Sequence, residues 1–375
     1  MKSGHTALIR RVVLQIFFVI LLIAGTGMVL AHAPLGVGTN EDIANATLIG
    51  TPEKSFVLYT ELHESGEAQY YLFPLLKGQR LYGSLQVPGP GSMIPDLVII
   101  GPGIEPAGTV PSSVQVPSGS GVMVIPGNPP KKPSYEPFSP QPIYEVARFN
   151  VTVPKDGNYY IAVSGPEGAK YSLAPGFLEE FTAAEWLTIP LSVVSIHLWE
   201  GQSPAGIFAP LIIVMAVGLG LIFLYPGWRA VRRDPIACLV ILSGFLYLGG
   251  AAMTALQIVH AVQVTGYTSE VILTLLFIAG PLILGVFAIR AGSRLPDVSY
   301  SWSDGIRMMG IGFLGLLVWA GLIIGPVLAI LSGVLILIKT AMKSGEATYK
   351  SLEGLNLKPQ YFGKYPENNL MNNEN

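Results

Sequence analysis

Of 375 residues only 12% are charged, against about 25% in an average soluble domain, half are hydrophobic and the mean hydropathy is +0.51. That composition excludes an ordinary soluble globule and points to a membrane protein; basic residues never gather with aromatics, which excludes a nucleic-acid partner. The formal net charge of −2 conceals an asymmetry, because residues 34–204 hold 16 acidic and 8 basic side chains whereas the remainder holds 14 basic and 8 acidic, so the two parts are expected to face different surroundings.

Residues 1–33 carry Lys2, Arg10 and Arg11, then an apolar run over 12–31, then small residues, the grammar of an export signal. Two alternatives stay open: a cleaved signal peptide, or a signal anchor kept in the membrane by about 20 apolar residues. Either one carries the chain after residue 33 out of the cytoplasm.

From 34 to 177 the pattern changes to period-two alternation. In "ARFNVTV", Phe149, Val151 and Val153 point one way and Arg148, Asn150 and Thr152 the other, a half-buried strand. "PKDG" supplies a tight turn, and "NYYIAVSG" returns with Tyr159, Ile161 and Val163 on one face, predicting a hairpin. The same grammar occurs in "AQYYLFPL", "LKGQ" and "RLYGSLQV", while "DLVIIG" is a short buried strand. Many short strands between Gly/Pro turns predict an all-β sandwich. The stretch 101–144 is rich in proline and glycine and predicts a long loop insertion, with "GVMVI" as one strand inside it.

"GEAQYYLFPLLKGQRLYGSLQV", "PDLVIIGPG", "FNVTVPKDGNYYIAVSG" and "YSLA" together resemble the bacterial and archaeal pre-peptidase C-terminal domain family, over about 64–176 less the insertion. The resemblance implies a small jelly-roll-like sandwich, secreted or at the cell surface, without catalysis of its own. This chain departs from that family in lacking a peptidase domain and in continuing into a membrane region.

Residues 178–204 are predicted as a membrane-proximal amphipathic helical segment. Thr182 and Glu185 form a capping box, Pro190 predicts a kink or a second helix start, and Trp186 and Trp199 bracket an apolar stretch as membrane-interface anchors.

Four apolar runs come next, at 205–225, 236–261, 271–289 and 308–338, each long enough to cross the hydrocarbon core. The first connection carries Arg229, Arg232 and Arg233, the third carries Arg290, Arg294 and Arg307, and the second, at 262–270, has no basic residue. The bias toward cytoplasmic arginine places 34–204 outside the cell membrane. Four crossings would leave the tail 339–375 outside too, with Lys339, Lys343 and Lys350 opposite the arginines; a turn back at Gly325-Pro326 is the alternative, for which 31 residues are short. The tail itself reads as polar and disordered.

Chemistry is not legible in this chain. The lone Cys238 lies in an apolar run, no Cys/His spacing suits zinc and no nucleophile motif occurs, so no catalytic, metal or cofactor residue is assigned. "ELHESGE", around His63, reads as a solvated turn rather than a metal site. Asn45 and Asn150 head glycosylation sequons. Gly321 and Gly325 form a GxxxG pair suited to helix packing within the chain or with a partner. The expected function is a non-enzymatic multi-pass membrane protein, in contact with lipid, whose exported sandwich binds or organises an envelope protein partner or surface glycan, or a homo-oligomer. The alternative is a transporter or channel accessory component with an external cap, which predicts a polar cavity lined by Thr254, Gln257, His260 and Thr274.

Overall fold

The computed structural model of the chain describes residues 33–34, 40–129, 132–297 and 300–354. The export signal and residues 355–375 of the tail lie outside them.

Eleven strands form two sheets. They are β1 (Ala33–Pro34), β2 (Thr47–Leu48), β3 (Phe56–Glu61), β4 (Ala68–Leu75), β5 (Arg80–Val87), β6 (Asp96–Gly101), β7 (Gly121–Ile125), β8 (Ser134–Glu136), β9 (Gln141–Thr152), β10 (Gly157–Ser164) and β11 (Lys170–Pro175). One sheet has the order β1-β3-β11-β5-β9-β8 and the other β2-β4-β10-β6-β7. Only the two short outer pairings, β1 with β3 and β2 with β4, are parallel.

A single apolar core collects residues from both sheets: Tyr71, Phe73, Ile99 and Ile161 from one, Leu58, Leu85, Phe149 and Leu173 from the other. Each is almost completely buried, worth about 1.5–3 kcal/mol of transfer free energy per side chain. The buried phenols are not orphaned. Tyr71 donates to Tyr171 Oη at 2.8 Å, and Tyr171 donates to Gln69 Oε1 at 2.6 Å.

The predicted turns after β4 and β9 are present, but neither closes a hairpin. β4 and β10 belong to one sheet, β5 and β9 to the other, so both turns carry the chain across the core. The reason is mutual: Gly78 N donates to Val153 O, Val153 N to Gln79 O, each at 2.9 Å, and Lys77 N to Asp156 Oδ1 at 2.6 Å. The two turns bind each other, and their strands then pair with non-local neighbours, β4 with β10 and β5 with β9. The expected insertion at 101–144 is also more ordered than a loop, since it contains β7, β8 and the first residues of β9.

Besides short 3₁₀ turns, the described residues form six α-helices: α1 (Ala183–Trp199), α2 (Pro204–Leu224), α3 (Pro235–Thr265), α4 (Val271–Gly292), α5 (Trp302–Leu317) and α6 (Ile324–Gly354). α1 begins at the predicted capping box but runs through Pro190 without a second start. It is not two-faced, because Leu187, Leu191 and Leu198 are exposed while Ile189 and Ile196 are buried; the expectation of an amphipathic segment is corrected accordingly. Four segments are long and apolar enough to cross a membrane: α2, α3, α4 and Ala320–Gly345.

The run 308–338 is not one span. It breaks over Val318–Ile323, where Trp319, Gly321, Leu322 and Ile323 adopt left-handed φ values of 52°, 60°, 53° and 69°. α5 and α6 fold back on each other as a helical hairpin. A Cβ on Gly305 would stand 3.0 Å from Gly333 O, and one on Gly333 would stand 2.7 Å from Gly305 O, so glycine permits the approach. Thirty-one residues were too short for this turn only because both helices extend beyond them. α6 also carries 339–354 as helix, where an irregular tail was expected. The hairpin returns Lys339 to the arginine end of the bundle: its Nζ lies 4.4 Å from the Tyr300 ring centre, and Tyr300 donates to Asp234, which caps α3 beside Arg233.

Candidate functional site

The Pro-rich stretch "SYEPFSPQP" makes a tight connection. β8 and β9 pair Glu136 with Gln141, leaving Pro137-Phe138-Ser139-Pro140 as a four-residue tip. Prolines at both ends of the tip fix φ there and leave no backbone N–H to satisfy. The tip projects from the two-sheet domain into the helices. Tyr135 donates to Thr274 Oγ1 at 2.8 Å, and the Thr274 hydroxyl donates to Pro137 O at 2.7 Å. The Phe138 ring lies 5.7–6.3 Å from the rings of Phe181, Phe277 and Trp319.

Around this tip the other elements close. α1 is tied to the domain by Lys54, whose Nζ reaches both Glu185 oxygens at 2.6 and 2.8 Å, and by Trp199 Nε1, which donates to Thr60 O at 3.1 Å. Trp199 also meets Tyr59 edge-on at 4.9 Å. The left-handed break is held by Trp319, which stacks on Phe277 at 4.4 Å and donates Nε1 to Trp186 O at 3.0 Å. Left-handed non-glycine residues cost about 1–2 kcal/mol each, and this aromatic packing offsets them.

Two cavities flank the tip. The larger, about 70 Å³, lies between it, α1, α3, α4 and the break, and is lined by His197, Thr254, Gln257, Thr274 and Trp319 among apolar residues. The smaller, about 30 Å³, lies between the tip, the domain and α1, and includes Glu136, Gln141 and Ser192. Burial, together with the nearby Glu179 charge, pushes the Glu136 carboxyl up to about 8, although Oε1 accepts a bond from Phe138 N at 3.2 Å. His197 is 2% exposed; its Nδ1 lies 2.8 Å from Glu200 Oε2, and its Nε2 is buried without a hydrogen-bond partner. Gln202 and Gln257 exchange amide bonds of 3.1 and 2.8 Å beside it.

Three of the four residues expected on a polar cavity, Thr254, Gln257 and Thr274, line this one, whose wall is mostly apolar; His260 is exposed elsewhere and His197 lines it instead. Trp186 and Trp199 stand at the junction, the Trp186 backbone O accepting from Trp319 Nε1 and Trp199 Nε1 donating to Thr60 O in β3. Gly321 and Gly325 do not form a stripe along one helix, since the break separates them. A Cβ on Gly321 would meet the Leu246 backbone at 2.9 Å, and one on Gly325 the Tyr247 ring at 2.5 Å, so both serve contact with α3. Asn45 is exposed at the end of a short 3₁₀ turn; Asn150 is exposed on β9 with Oδ1 accepting from Arg80. Around His63, Glu67 Oε2 accepts from the His63 and Glu64 backbones, the geometry of a turn. Among the described residues no group of three metal-ligating side chains occurs. What sequence reasoning missed is the tip. Its prolines read as loop chemistry, and only the Tyr-Glu-Pro-Phe apolar content hinted at burial. No family model matches the chain, and no curated protein matches it.

Proposed function

We propose that the chain is a non-enzymatic, multi-pass protein of the cell membrane, whose two-sheet domain is an extracytoplasmic β-sandwich of jelly-roll type that binds or organises an envelope partner or surface glycan. The observation that carries this reading is the docking of the β8–β9 tip among α1, α4 and the break, which holds the domain in a fixed attitude on the bundle. A domain so held presents its outer strands in one orientation, as an organising module requires. The return of Lys339 to the arginine end supports an outside domain and an inside tail, because every basic connection then lies on one side. The likeness of β4–β6 and β9–β11 to pre-peptidase C-terminal domains supports a surface role.

The test is purification of the full chain in mild detergent with identification of what accompanies it. A stoichiometric envelope protein or glycan, lost when exposed positions of β5 and β9 such as Arg80 and Arg148 are reversed in charge, supports the reading. A chain that purifies alone and binds no envelope extract sinks it. Topology is read separately in a Cys238→Ala background: Ser118→Cys is expected to react with an impermeant maleimide on intact cells, and Lys343→Cys only after lysis.

A second reading, a transporter or channel component with an external cap, draws on one observation, the cavity with Thr254, Gln257 and Thr274 on its wall. Solute flux in proteoliposomes, blocked by Thr254→Phe, distinguishes it from the first.

A further inference from the structure

We propose that the larger junction cavity is a binding site for an amphiphile bearing a single hydroxyl, an alcohol head on an apolar body, whose O–H donates to Nε2 of His197. This goes beyond the partner reading of the domain and stands whether or not the domain captures one. His197 Nδ1 lies 2.8 Å from a carboxylate oxygen of Glu200, a group that only accepts, and 3.2 Å from Gln202 Nε2; the shorter contact, to the carboxylate, favours a ring proton on Nδ1. With that proton on Nδ1, an unprotonated Nε2 is a lone-pair acceptor, and Nε2 is buried without a partner. Carboxylate-held imidazoles of this kind present the second nitrogen to a ligand in a fixed direction.

The rest of the wall decides what the ligand is. Its other polar side chains are already committed: Thr254 to Gly250 O at 3.2 Å, Gln257 to Gln202, Thr274 to Pro137 O, and Trp319 to Trp186 O. Ile207, Met253, Phe277, Val318 and Leu322 supply apolar surface. The cavity thus offers one buried polar side-chain atom with no partner, Nε2, in a mostly apolar wall. Its volume, about 70 Å³, would take roughly five waters. A buried water needs two to four polar partners, so a water cluster is poorly supported there. One hydroxyl followed by a few methylenes satisfies the acceptor and the apolar wall together. The same head occurs on a membrane lipid alcohol and on a small soluble alcohol.

Full-length protein in phosphatidylcholine nanodiscs is titrated with 3-bromopropan-1-ol, 8-bromooctan-1-ol and 8-bromooctanoic acid, reading bromine quenching of tryptophan fluorescence, to which Trp319 on the wall responds. Saturable quenching by the alcohols, displaced by unbrominated octanol, is the expected result. His197→Phe should weaken it about tenfold, the loss of one hydrogen bond, and Val318→Phe, which fills the hole without touching the His197–Glu200 pair, should abolish saturation. After correction for membrane partitioning, affinity that rises with chain length assigns the site to a lipid alcohol, and equal affinities assign it to a soluble one. The proposal is overturned by quenching that never saturates, by the acid binding as tightly as the alcohol, or by both variants leaving the affinity unchanged.

Discussion

The two-sheet domain and the helix bundle differ in what they lean on for close packing. The domain fills its interior with large rings, Tyr71, Phe73, Phe149, Tyr159 and Tyr171, none of them measurably exposed beyond 1%. The bundle brings backbones together on glycine: Gly244 against Gly285 between α3 and α4, where an added Cβ would stand 2.8 Å from the facing carbonyl, and Gly305 against Gly333 between α5 and α6. In water, removing apolar area is itself the driving force. Among lipid tails it is not, and intimate van der Waals contact is what remains. The difference is one of emphasis, since the bundle also buries Tyr247 completely and a Cβ on Gly83 in the domain would stand 2.4 Å from Ala174 O.

Four substitutions break or sharpen that contrast, in falling order of expected effect. Phe149→Ala should cost the domain about 3–5 kcal/mol and melt the sheet signal in circular dichroism while the helical signal persists; loss of both together would mean that the junction makes them one cooperative unit. Glu136 tests the junction through pH. Its carboxyl titrates near its ordinary value of 4.5 when unfolded and at about 8 when folded, so the folded state holds the extra proton and stability falls as pH rises between those values, on the order of 5 kcal/mol in all. Glu136→Gln, neutral throughout and still able to accept from Phe138 N, should flatten thermal unfolding over about pH 5–8, and an unchanged slope would refute the buried carboxyl. Gly305→Leu should destabilise the α5–α6 pair by about 1–3 kcal/mol, seen as earlier loss of helical signal, with the sheets unaffected. Lys54→Ala removes a partly exposed ion pair to Glu185 and should lower stability by no more than about 1 kcal/mol in the same assay. A larger drop would show that α1 carries the coupling.

Strands and spans were legible where burial was periodic. Phe149 and Val153 inside against Arg148 and Asn150 outside come directly from alternation. The capping box at Thr182 was legible for the same local reason. What a turn joins was not, because "PKDG" and "LKGQ" specify a reversal, and only their mutual hydrogen bonds send each chain to the opposite sheet. The break after Leu317 was hidden by composition, since Val318, Trp319, Leu322 and Ile323 are as apolar as the helices beside them and nothing local demands a left-handed backbone. The site was half legible. Thr254, Gln257 and Thr274 stood out as rare polar groups in apolar helices, whereas His197 acquires its setting from Glu200 and from helices more than fifty residues away.

The left-handed turn between α5 and α6 also makes the two helices one unit toward a bilayer. α5 has 16 residues, about 24 Å of helix, less than the ~30 Å hydrocarbon core, and Asp304 and Arg307 occupy its first turns. Emerging alone from a ribosome it has neither the length nor the apolarity to lodge in a bilayer. Packed on α6 across Gly305 and Gly333, it borrows the length and apolarity of its partner. A bilayer therefore meets α5 and α6 as a pair.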